Sequence, residues 1–339
     1  MDTGPFFVGL IEDFLVKKHI YIYSPSGAVR DKRSFERGVR RLELLGHDVE
    51  VDIDAFACHT RFAGDDVTRL AAIHRAAASG ADVAMISRGG YGITRILGGI
   101  RYKTVAKAIE RGTHFVGLSD FTALQLALYA KTGSVTWAGP ALCEGFGVGP
   151  SGGPATGKQL SVAPDEVMED CFNDMLSGQG EGTGWRQHRE SAIGADMSQA
   201  GRDYCFKNAI LWGGNLSLLV SLLGSPYFPQ IKGGILFLED VGEHPYRIER
   251  LLTQLLNAGV LGQQKAILMG QFTEFKLTPH DKGFNLKSVF QWLKSQTKTP
   301  VFTNLPFGHV ATKVLLPVGA KTELVVEGRD ALLFWGHMG

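Results

Sequence analysis

Hydrophobic and polar positions alternate in two different periods along the first 140 residues of the chain. Short apolar runs predict strands at 19–23, 49–53, 82–87, 114–118 and 134–138. Apolar positions recurring every three or four residues predict helices at 35–45, 70–77, 104–110 and 122–130. Regular alternation of strand and helix is typical of a parallel sheet with helices on both faces. We therefore expect a doubly wound, flavodoxin-like α/β domain, with any ligand at the carboxyl ends of its strands.

The pattern changes twice after residue 145. Residues 145–157 and 177–184 are rich in glycine, and a helix is predicted between them at 165–176. Beyond residue 201 we predict strands at 234–238 and 266–270, helices at 248–256 and 289–293, and an antiparallel meander over 314–335. The expected organisation is an α/β domain at 18–145, a connecting segment at 146–200, and a β-rich domain with a mixed sheet at 201–339.

Composition and charge narrow the class of protein. The 339 residues carry 35 Lys and Arg against 34 Asp and Glu. This balance provides no basic surface for nucleic acid or for an anionic membrane. No apolar run is long enough to span a bilayer, and the start of the chain lacks the pattern of an export signal. The four cysteines lie far apart in sequence, so we expect reduced thiols in a cytoplasmic protein.

No motif predicts a cofactor or a metal. The segment 152–158 fits G-x-x-x-x-G-K, but Gln159 replaces the Ser or Thr that binds Mg²⁺, and no strand precedes it. No G-x-G-x-x-G follows a strand and opens a helix. The His and Cys residues show no metal-ligand spacing. We therefore expect a protein that uses neither.

Ser119 stands at a sharp transition from strand to helix. In the segment 117–122, Gly-Leu-Ser-Asp-Phe-Thr, a strand delivers Ser119 to a turn and a helix begins directly afterwards. This is the arrangement of a nucleophile elbow, in which the next backbone N–H, that of Asp120, faces a developing oxyanion. The alternative is that Ser119 or Asp120 only caps the helix.

A glycine-rich turn ends the neighbouring predicted strand. Gly89 and Gly90, within Arg-Gly-Gly-Tyr-Gly at 88–92, let backbone N–H groups approach a ligand closely. They are candidates for an oxyanion hole. The alternative is an ordinary turn.

A serine nucleophile needs a base and an orienting acid. His309 follows a turn fixed by Pro306 and Gly308, and Glu239 ends the apolar run at 234–238. A carboxylate near burial needs a partner, and an imidazolium is a suitable one. Three alternatives remain open: Glu239 pairs with Arg247 or Arg250, His309 is a loop histidine, or Glu243 and His244 take these roles.

Nine segments, taken in chain order, carry a family resemblance. In the first half they are SPSG (24–27), RFAG (61–64), RGGYG (88–92), GLSDFTALQ (117–125) and WAGP (137–140). In the second half they are LWGGNLSLLVSLLG (211–224), ILFLEDVGEHPYRIERLLTQL (235–255), QKAILMG (264–270) and LPFGH (305–309). Together they resemble the LD-carboxypeptidases, the muramoyltetrapeptide carboxypeptidases of serine-peptidase family S66. The chain departs from the family pattern by extra N-terminal residues and by the long 145–200 connection, which could alter the rim of the site.

The resemblance implies roles for specific residues. The family nucleophile maps on Ser119, the triad acid on Glu239 and the histidine on His309. It also implies a cytoplasmic enzyme without metal or cofactor that removes terminal D-Ala from murein tetrapeptide, after the diaminopimelate-type residue. Family members often dimerise, so a homodimer is possible. The flavodoxin-like domain would supply the serine and the β-rich domain the acid and the histidine.

Two alternatives to murein hydrolysis remain. Relatives resembling the microcin C immunity peptidases hydrolyse aminoacyl-nucleotide conjugates with the same triad, so residues lining the pocket would decide between the two. The chain could also be a non-catalytic protein that binds a sugar-peptide or a nucleotide. The joint presence of Ser119, Glu239 and His309 argues against a binder, which has no need of all three.

Overall fold

The computed structural model describes residues 17–149, 163–188 and 203–337. Its strands are β1 (His19–Tyr23), β2 (Asp48–Val51), β3 (Val83–Ile86), β4 (His114–Gly117), β5 (Thr136–Ala138), β6 (Gly182–Arg186), β7 (Tyr204–Asn215), β8 (Ile235–Val241), β9 (Ala266–Thr273), β10 (Val301–Thr303), β11 (Leu316–Val318), β12 (Lys321–Glu327) and β13 (Asp330–Phe334). Its helices are α1 (Lys32–Leu44), α2 (Asp66–Ala78), α3 (Ile93–Ile96), α4 (Tyr102–Glu110), α5 (Phe121–Thr132), α6 (Glu166–Ser177), α7 (Leu216–Ser221), α8 (Pro245–Asn257) and α9 (Leu286–Gln296). The G-x-x-x-x-G-K segment at 152–158 lies outside the described residues.

The first sheet has the strand order β11-β5-β4-β3-β1-β2. Strands β1 to β5 pair in parallel, and β3 is buried along its whole length. Such strands need apolar residues on both faces because helices cover both sides of the sheet. The predicted doubly wound α/β half is confirmed. The carboxyl ends of β1, β3, β4 and β5 lie side by side at one edge.

The second sheet has the order β10-β9-β8-β7-β12-β13-β6. Strands β7 to β10 pair in parallel, whereas β12 is antiparallel to β7 and to β13, and β6 is antiparallel to β13. This is the predicted mixed sheet. As in the first half, the carboxyl ends of the parallel strands share one edge.

Helix α5 joins the two halves. Its residues from Phe121 to Leu128 are all buried, which is typical of a helix enclosed on every side. It packs against α4 of the first half and against α7 and β7 of the second. A single cluster of buried apolar side chains runs through both halves. The helix that begins just after Ser119 therefore lies in the core shared by both halves.

Strand β7 and helix α3 were not predicted from the sequence, and three further elements differ from their predictions. Strand β11, predicted as part of a C-terminal meander, pairs with β5 at the edge of the first sheet. Strand β8 continues to Val241, so Glu239 lies within it instead of following it. Strand β6 forms in a segment interpreted as a linker and pairs with β13. Glycine at position 182 permits the close approach of the two strands, since a Cβ there would meet the Leu333 carbonyl oxygen at 2.6 Å.

The connection between the halves contains the predicted helix. Helix α6 begins after Asp165, whose side chain accepts a hydrogen bond from the backbone N–H of Met168. The division at 145/146 and 200/201 stays a prediction. No helix of the described residues is both long and apolar enough to cross a membrane.

Candidate active site

Ser119 sits on a strained turn between β4 and α5. Its φ angle is +64°, a left-handed conformation that is uncommon for a residue with a side chain. The side chain remains partly exposed, while both neighbours, Leu118 and Asp120, are buried. The turn thus holds the hydroxyl out from the end of a buried strand, as the sequence predicted.

Gly89 is the glycine that approaches Ser119. A Cβ on Gly89 would lie 2.7 Å from the Ser119 Cβ and 2.9 Å from its Oγ. Gly90 lies one residue further, where a Cβ would meet the Arg88 guanidinium at 3.1 Å. Within the described part of the chain, the backbone N–H groups of Gly89 and Asp120 have no hydrogen-bond acceptor. Gly89 lies against the Ser119 side chain, and Asp120 follows Ser119 directly in the chain.

The carboxylate of Asp120 has a structural role. It is fully buried and accepts hydrogen bonds from the Ser26 hydroxyl at 2.5 Å and the Ile93 backbone N–H at 2.9 Å. Burial raises the pKa of the Asp120 carboxyl, against the lowering effect of these bonds. The side chain does not cap α5. Any contact of Asp120 with a substrate therefore comes from its backbone N–H.

Glu239 and His309 form a hydrogen-bonded pair. Nδ1 of His309 lies 2.7 Å from Oε2 of Glu239. Glu239 is fully buried, whereas the His309 side chain is 21% exposed. Because a carboxylate can only accept, Nδ1 carries the proton and Nε2 is left as the free base of the neutral ring. The expected pairing of these two residues is present.

Asn215 holds this carboxylate from the other side and is itself bonded to Asp240. Nδ2 of Asn215 donates to Oε1 of Glu239 at 3.2 Å and to Oδ1 of Asp240 at 2.9 Å. Asp240 also accepts two bonds from Ser217, at the start of α7. Asn215 was not identified from the sequence, although it lies in the segment 211–224 that carries part of the family resemblance. Its position in the Trp-Gly-Gly-Asn segment was the available signal.

One hydrogen bond connects the pair to the serine turn. The backbone N–H of Asn215 donates to Oγ1 of Thr122 at 3.0 Å, and Thr122 lies three residues after Ser119. In the described residues, Ser119 Oγ has no hydrogen-bond partner, His309 Nε2 included. The structure thus joins Glu239 and His309 directly, and joins Ser119 to them through α5.

The charges around His309 favour its protonated form. Burial opposes that form, but the hydrogen bond and charge of Glu239 outweigh it, and Asp240 and Glu144 add to the effect. Together they raise the pKa of the His309 imidazole above its usual value. Such a ring is suited to accept a proton and to remain close to its acid.

The competing residues have partners of their own. Glu243 pairs with Arg247 at 3.6 Å, and His244 with Asp281 at 3.3 Å. Neither contacts the Glu239–His309 pair. Among the described residues, no group of three or more His, Cys, Asp or Glu side chains is placed to hold a metal ion. All four cysteines are free thiols.

Two family models match the chain. Residues 20–139 match the LD-carboxypeptidase N-terminal domain, and residues 208–324 match the LD-carboxypeptidase C-terminal domain. The chain belongs to the LD-carboxypeptidase family, peptidase family S66. The resemblance inferred from the motifs is confirmed, and with it the interpretation as an enzyme of the carboxypeptidase class.

Three relatives illustrate the range of the family. A probable murein peptide carboxypeptidase of Bacillus subtilis is 28% identical, over 89% of this chain and 88% of its own. The crystal structure of muramoyltetrapeptide carboxypeptidase from Oxalobacter formigenes is 34% identical, covers 94% of this chain and 98% of its own, and has a TM-score of 0.78. The microcin C7 self-immunity protein MccF of Escherichia coli is 26% identical over 63% of each chain.

Proposed function

We propose that this LD-carboxypeptidase releases terminal D-Ala from murein tetrapeptide, cleaving after the diaminopimelate-type residue by a serine mechanism. The observation that carries the proposal is the buried Glu239 carboxylate, 2.7 Å from Nδ1 of a partly exposed histidine. The Ser119 elbow lies at the start of the helix tied to that carboxylate through Thr122 and Asn215. The names of the Bacillus and Oxalobacter relatives support the substrate class.

In the proposed reaction, Ser119 Oγ attacks the carbonyl carbon before D-Ala. Nε2 of His309 takes the hydroxyl proton, and the Glu239 carboxylate stabilises the resulting imidazolium. The substrate tightens the Ser119–His309 contact, since catalytic hydrogen bonds are often long before substrate binds. The N–H groups of Gly89 and Asp120 receive the oxyanion.

The second half of the reaction uses the same groups. The imidazolium gives its proton to the amine of D-Ala, which leaves, and Ser119 keeps the peptide as an ester. His309 then takes a proton from water, which attacks the ester carbonyl carbon. When the bond from that carbon to Ser119 Oγ breaks, the imidazolium returns the proton to Oγ, and the tripeptide leaves with a free carboxyl group. No metal or cofactor is needed for these steps. We place the reaction in the cytoplasm, as expected from the sequence, and propose that the protein acts as a homodimer.

The test is mass spectrometry of murein tetrapeptide incubated with the pure protein. We expect tripeptide and free D-Ala, and no product from the matched peptide that ends in L-Ala. Cleavage of both peptides at the same rate, or of neither, would contradict the proposal.

Hydrolysis of aminoacyl-nucleotide conjugates is a second candidate, favoured by the similarity to the microcin C7 self-immunity protein. The same triad would serve, so the two are separated by substrate. Hydrolysis of an aminoacyl sulfamoyl adenosine faster than of tetrapeptide would support this candidate. A non-catalytic binder would be distinguished by a serine-directed phosphonate, which should label Ser119 in an enzyme and no serine in a binder.

A further inference from the structure

Arg88 is set among the strand ends that carry Ser119. A Cβ on Gly27 would lie 2.2 Å from Nη1 of Arg88, so the guanidinium occupies space that a side chain there would fill. Nη1 would also be 3.1 Å from a Cβ on Gly90, which lies against Gly27. The backbone N–H of Gly27 donates to the Gly89 carbonyl at 3.3 Å. The guanidinium therefore packs against two adjoining glycine turns, one of which contains Gly89, the neighbour of Ser119.

The partners of Arg88 are distant for a guanidinium. Nη1 donates to the Ala28 carbonyl at 3.4 Å, and Nε lies 3.6 Å from Oε1 of Glu144. Other arginines of the same half are held more tightly: Arg41 donates to Glu169 at 2.7 and 2.6 Å, in the two-bond geometry of structural arginines. A guanidinium has five N–H donors. Among the described residues, most of those on Arg88 have no close acceptor, although its side chain is only 15% exposed.

Glu144 is fixed opposite Arg88 by the backbone. After β5, the N–H of Leu142 donates to the Ile86 carbonyl at 3.0 Å, and that of Cys143 to the Ser87 carbonyl at 2.9 Å. These bonds place the next residue, Glu144, against the turn that carries Arg88. Its carboxylate is 47% exposed and lies within electrostatic range of His309. Glu144 thus connects Arg88 with the proposed base, since it pairs with the guanidinium and interacts electrostatically with His309.

A carboxypeptidase must recognise a carboxylate close to the bond it cleaves. The terminal carboxylate lies one residue beyond the scissile carbonyl, and neighbouring Cα atoms are about 3.8 Å apart. A planar guanidinium matches a carboxylate with two parallel hydrogen bonds. Arg88 precedes Gly89, the glycine in contact with Ser119.

We propose that Arg88, held in place by Glu144, binds the terminal carboxylate of the peptide substrate and so determines that the enzyme acts as a carboxypeptidase. This inference rests on the proposed function and adds a specificity residue to it. The carboxylate replaces the long contact to Glu144 with close hydrogen bonds. Glu144 remains nearby as the anion that keeps the empty guanidinium oriented.

The experiment compares two substrates that differ only at the terminus: tetrapeptide ending in free D-Ala, and the same peptide ending in D-Ala amide. We expect wild-type kcat/KM to be about 100-fold higher for the acid, the size of effect that a buried, hydrogen-bonded charge pair produces. Arg88→Met should lower kcat/KM for the acid about 100-fold and for the amide less than about threefold, which removes the preference. Arg88→Lys keeps the charge without the planar fork and should retain part of the preference.

Arg95→Met is the matched control. Arg95 lies on α3, is 48% exposed and pairs with Asp66, so its loss should leave both rates unchanged. Thermal unfolding shows whether each Arg88 variant folds. If Arg88→Met does not fold, the ratio of kcat/KM for the acid to that for the amide, measured with Arg88→Lys, decides. If folded Arg88 variants keep the preference for the acid substrate, or lose kcat/KM equally for acid and amide, the role of Arg88 is wrong, while the proposed function is unaffected. A wild-type protein that releases no D-Ala from the acid would overturn the proposed function and this inference with it.

Discussion

At the scale of single residues, the site depends on a carboxylate that water does not reach. Glu239 is fully buried, and His309 and Asn215 occupy its two oxygens. A buried charge with these partners is oriented rigidly, and its interaction with an imidazolium is weakly screened. Glu243, four residues on, is 27% exposed and pairs with Arg247. Position along one short segment therefore separates the proposed orienting acid, which is buried, from a partly exposed glutamate paired with arginine.

Exchanging Glu239 for glutamine tests this difference. We expect Glu239→Gln to lower kcat on tetrapeptide by roughly two to four orders of magnitude, because the amide does not stabilise the imidazolium or hold its tautomer. Glu243→Gln is the control and should change kcat little. Steady-state kinetics of both folded variants measures the effect. A fast Glu239→Gln protein beside an inactive Glu243→Gln protein would mean that the acid has been misassigned.

The pH dependence of the reaction should follow His309. A general base must be neutral, so kcat/KM should rise with pH through the raised pKa of His309. Glu239, Asp240 and Glu144 raise that pKa. Removing one negative charge with Glu144→Gln should therefore shift the acidic limb of the kcat/KM profile to lower pH, while Glu243→Gln should leave it in place. A shift of the limb to higher pH would contradict the assignment.

Residues were predictable from the sequence to different degrees. Ser119 was identified as a candidate from the local sequence, because the transition from strand to helix is visible within the short segment 117–122. Glu239 and His309 lie 70 residues apart, and their pairing came only from family resemblance. Arg88 and Glu144 were not paired at all. Their contact depends on backbone bonds between strand ends, which no local pattern reports.

At the scale of elements, the site is assembled where the ends of neighbouring strands meet. Parallel strands β3 and β4 end side by side, so the turn after one lies against the turn after the other. Glycine at position 89 allows this contact with Ser119. Its φ is not positive, so an alanine there suits the backbone and conflicts only with the serine.

Gly89→Ala should therefore damage catalysis more than folding. The added methyl displaces the Ser119 side chain, and a misplacement of about 1 Å can cost about 100-fold in rate. Gly262→Ala is the control, because a Cβ there meets nothing within 4 Å. The measurements are kcat and the thermal unfolding temperature. Normal turnover by Gly89→Ala would show that the two turns do not approach each other as closely as described.

Element types were predicted better than their ends and partners. The alternation of strands and helices in the first half was correct, since its apolar periods are regular. Strand β11 was assigned to the wrong sheet because a short apolar strand fits either one. The end of β8 was placed too early because Glu239 and Asp240, both buried in the strand, look like the start of a loop.

At the scale of the whole molecule, one helix couples two sheets. Helix α5 begins beside Ser119 and lies in the core shared by both halves. Oγ1 of Thr122, in this helix, accepts a hydrogen bond from the backbone N–H of Asn215. Asn215 in turn holds Glu239. The contact between the two halves therefore also determines the position of Glu239 relative to Ser119. No sequence pattern predicted this bond.

Thr122→Val tests the junction. Valine keeps the shape of threonine but leaves the buried Asn215 N–H without an acceptor, which costs about 1–3 kcal/mol in the free energy of unfolding. We expect that loss together with a lower kcat. Thr132→Val, at the other end of α5, removes a part-buried hydroxyl bonded to Leu128 and to Ser134. It should have smaller effects on both, because these bonds do not reach the second half. Equal behaviour of the two variants in denaturant unfolding and in kinetics would exclude a special role for Thr122.

The most direct measurement is the release of D-Ala from murein tetrapeptide by the wild-type protein and by Ser119→Ala. In the proposed mechanism, Ser119 forms the covalent bond to the substrate. Wild-type protein should give tripeptide and D-Ala, and the folded variant should be slower by at least about 1,000-fold, as is typical when a serine nucleophile is removed. Near-normal release of D-Ala by a folded Ser119→Ala protein would contradict the serine mechanism.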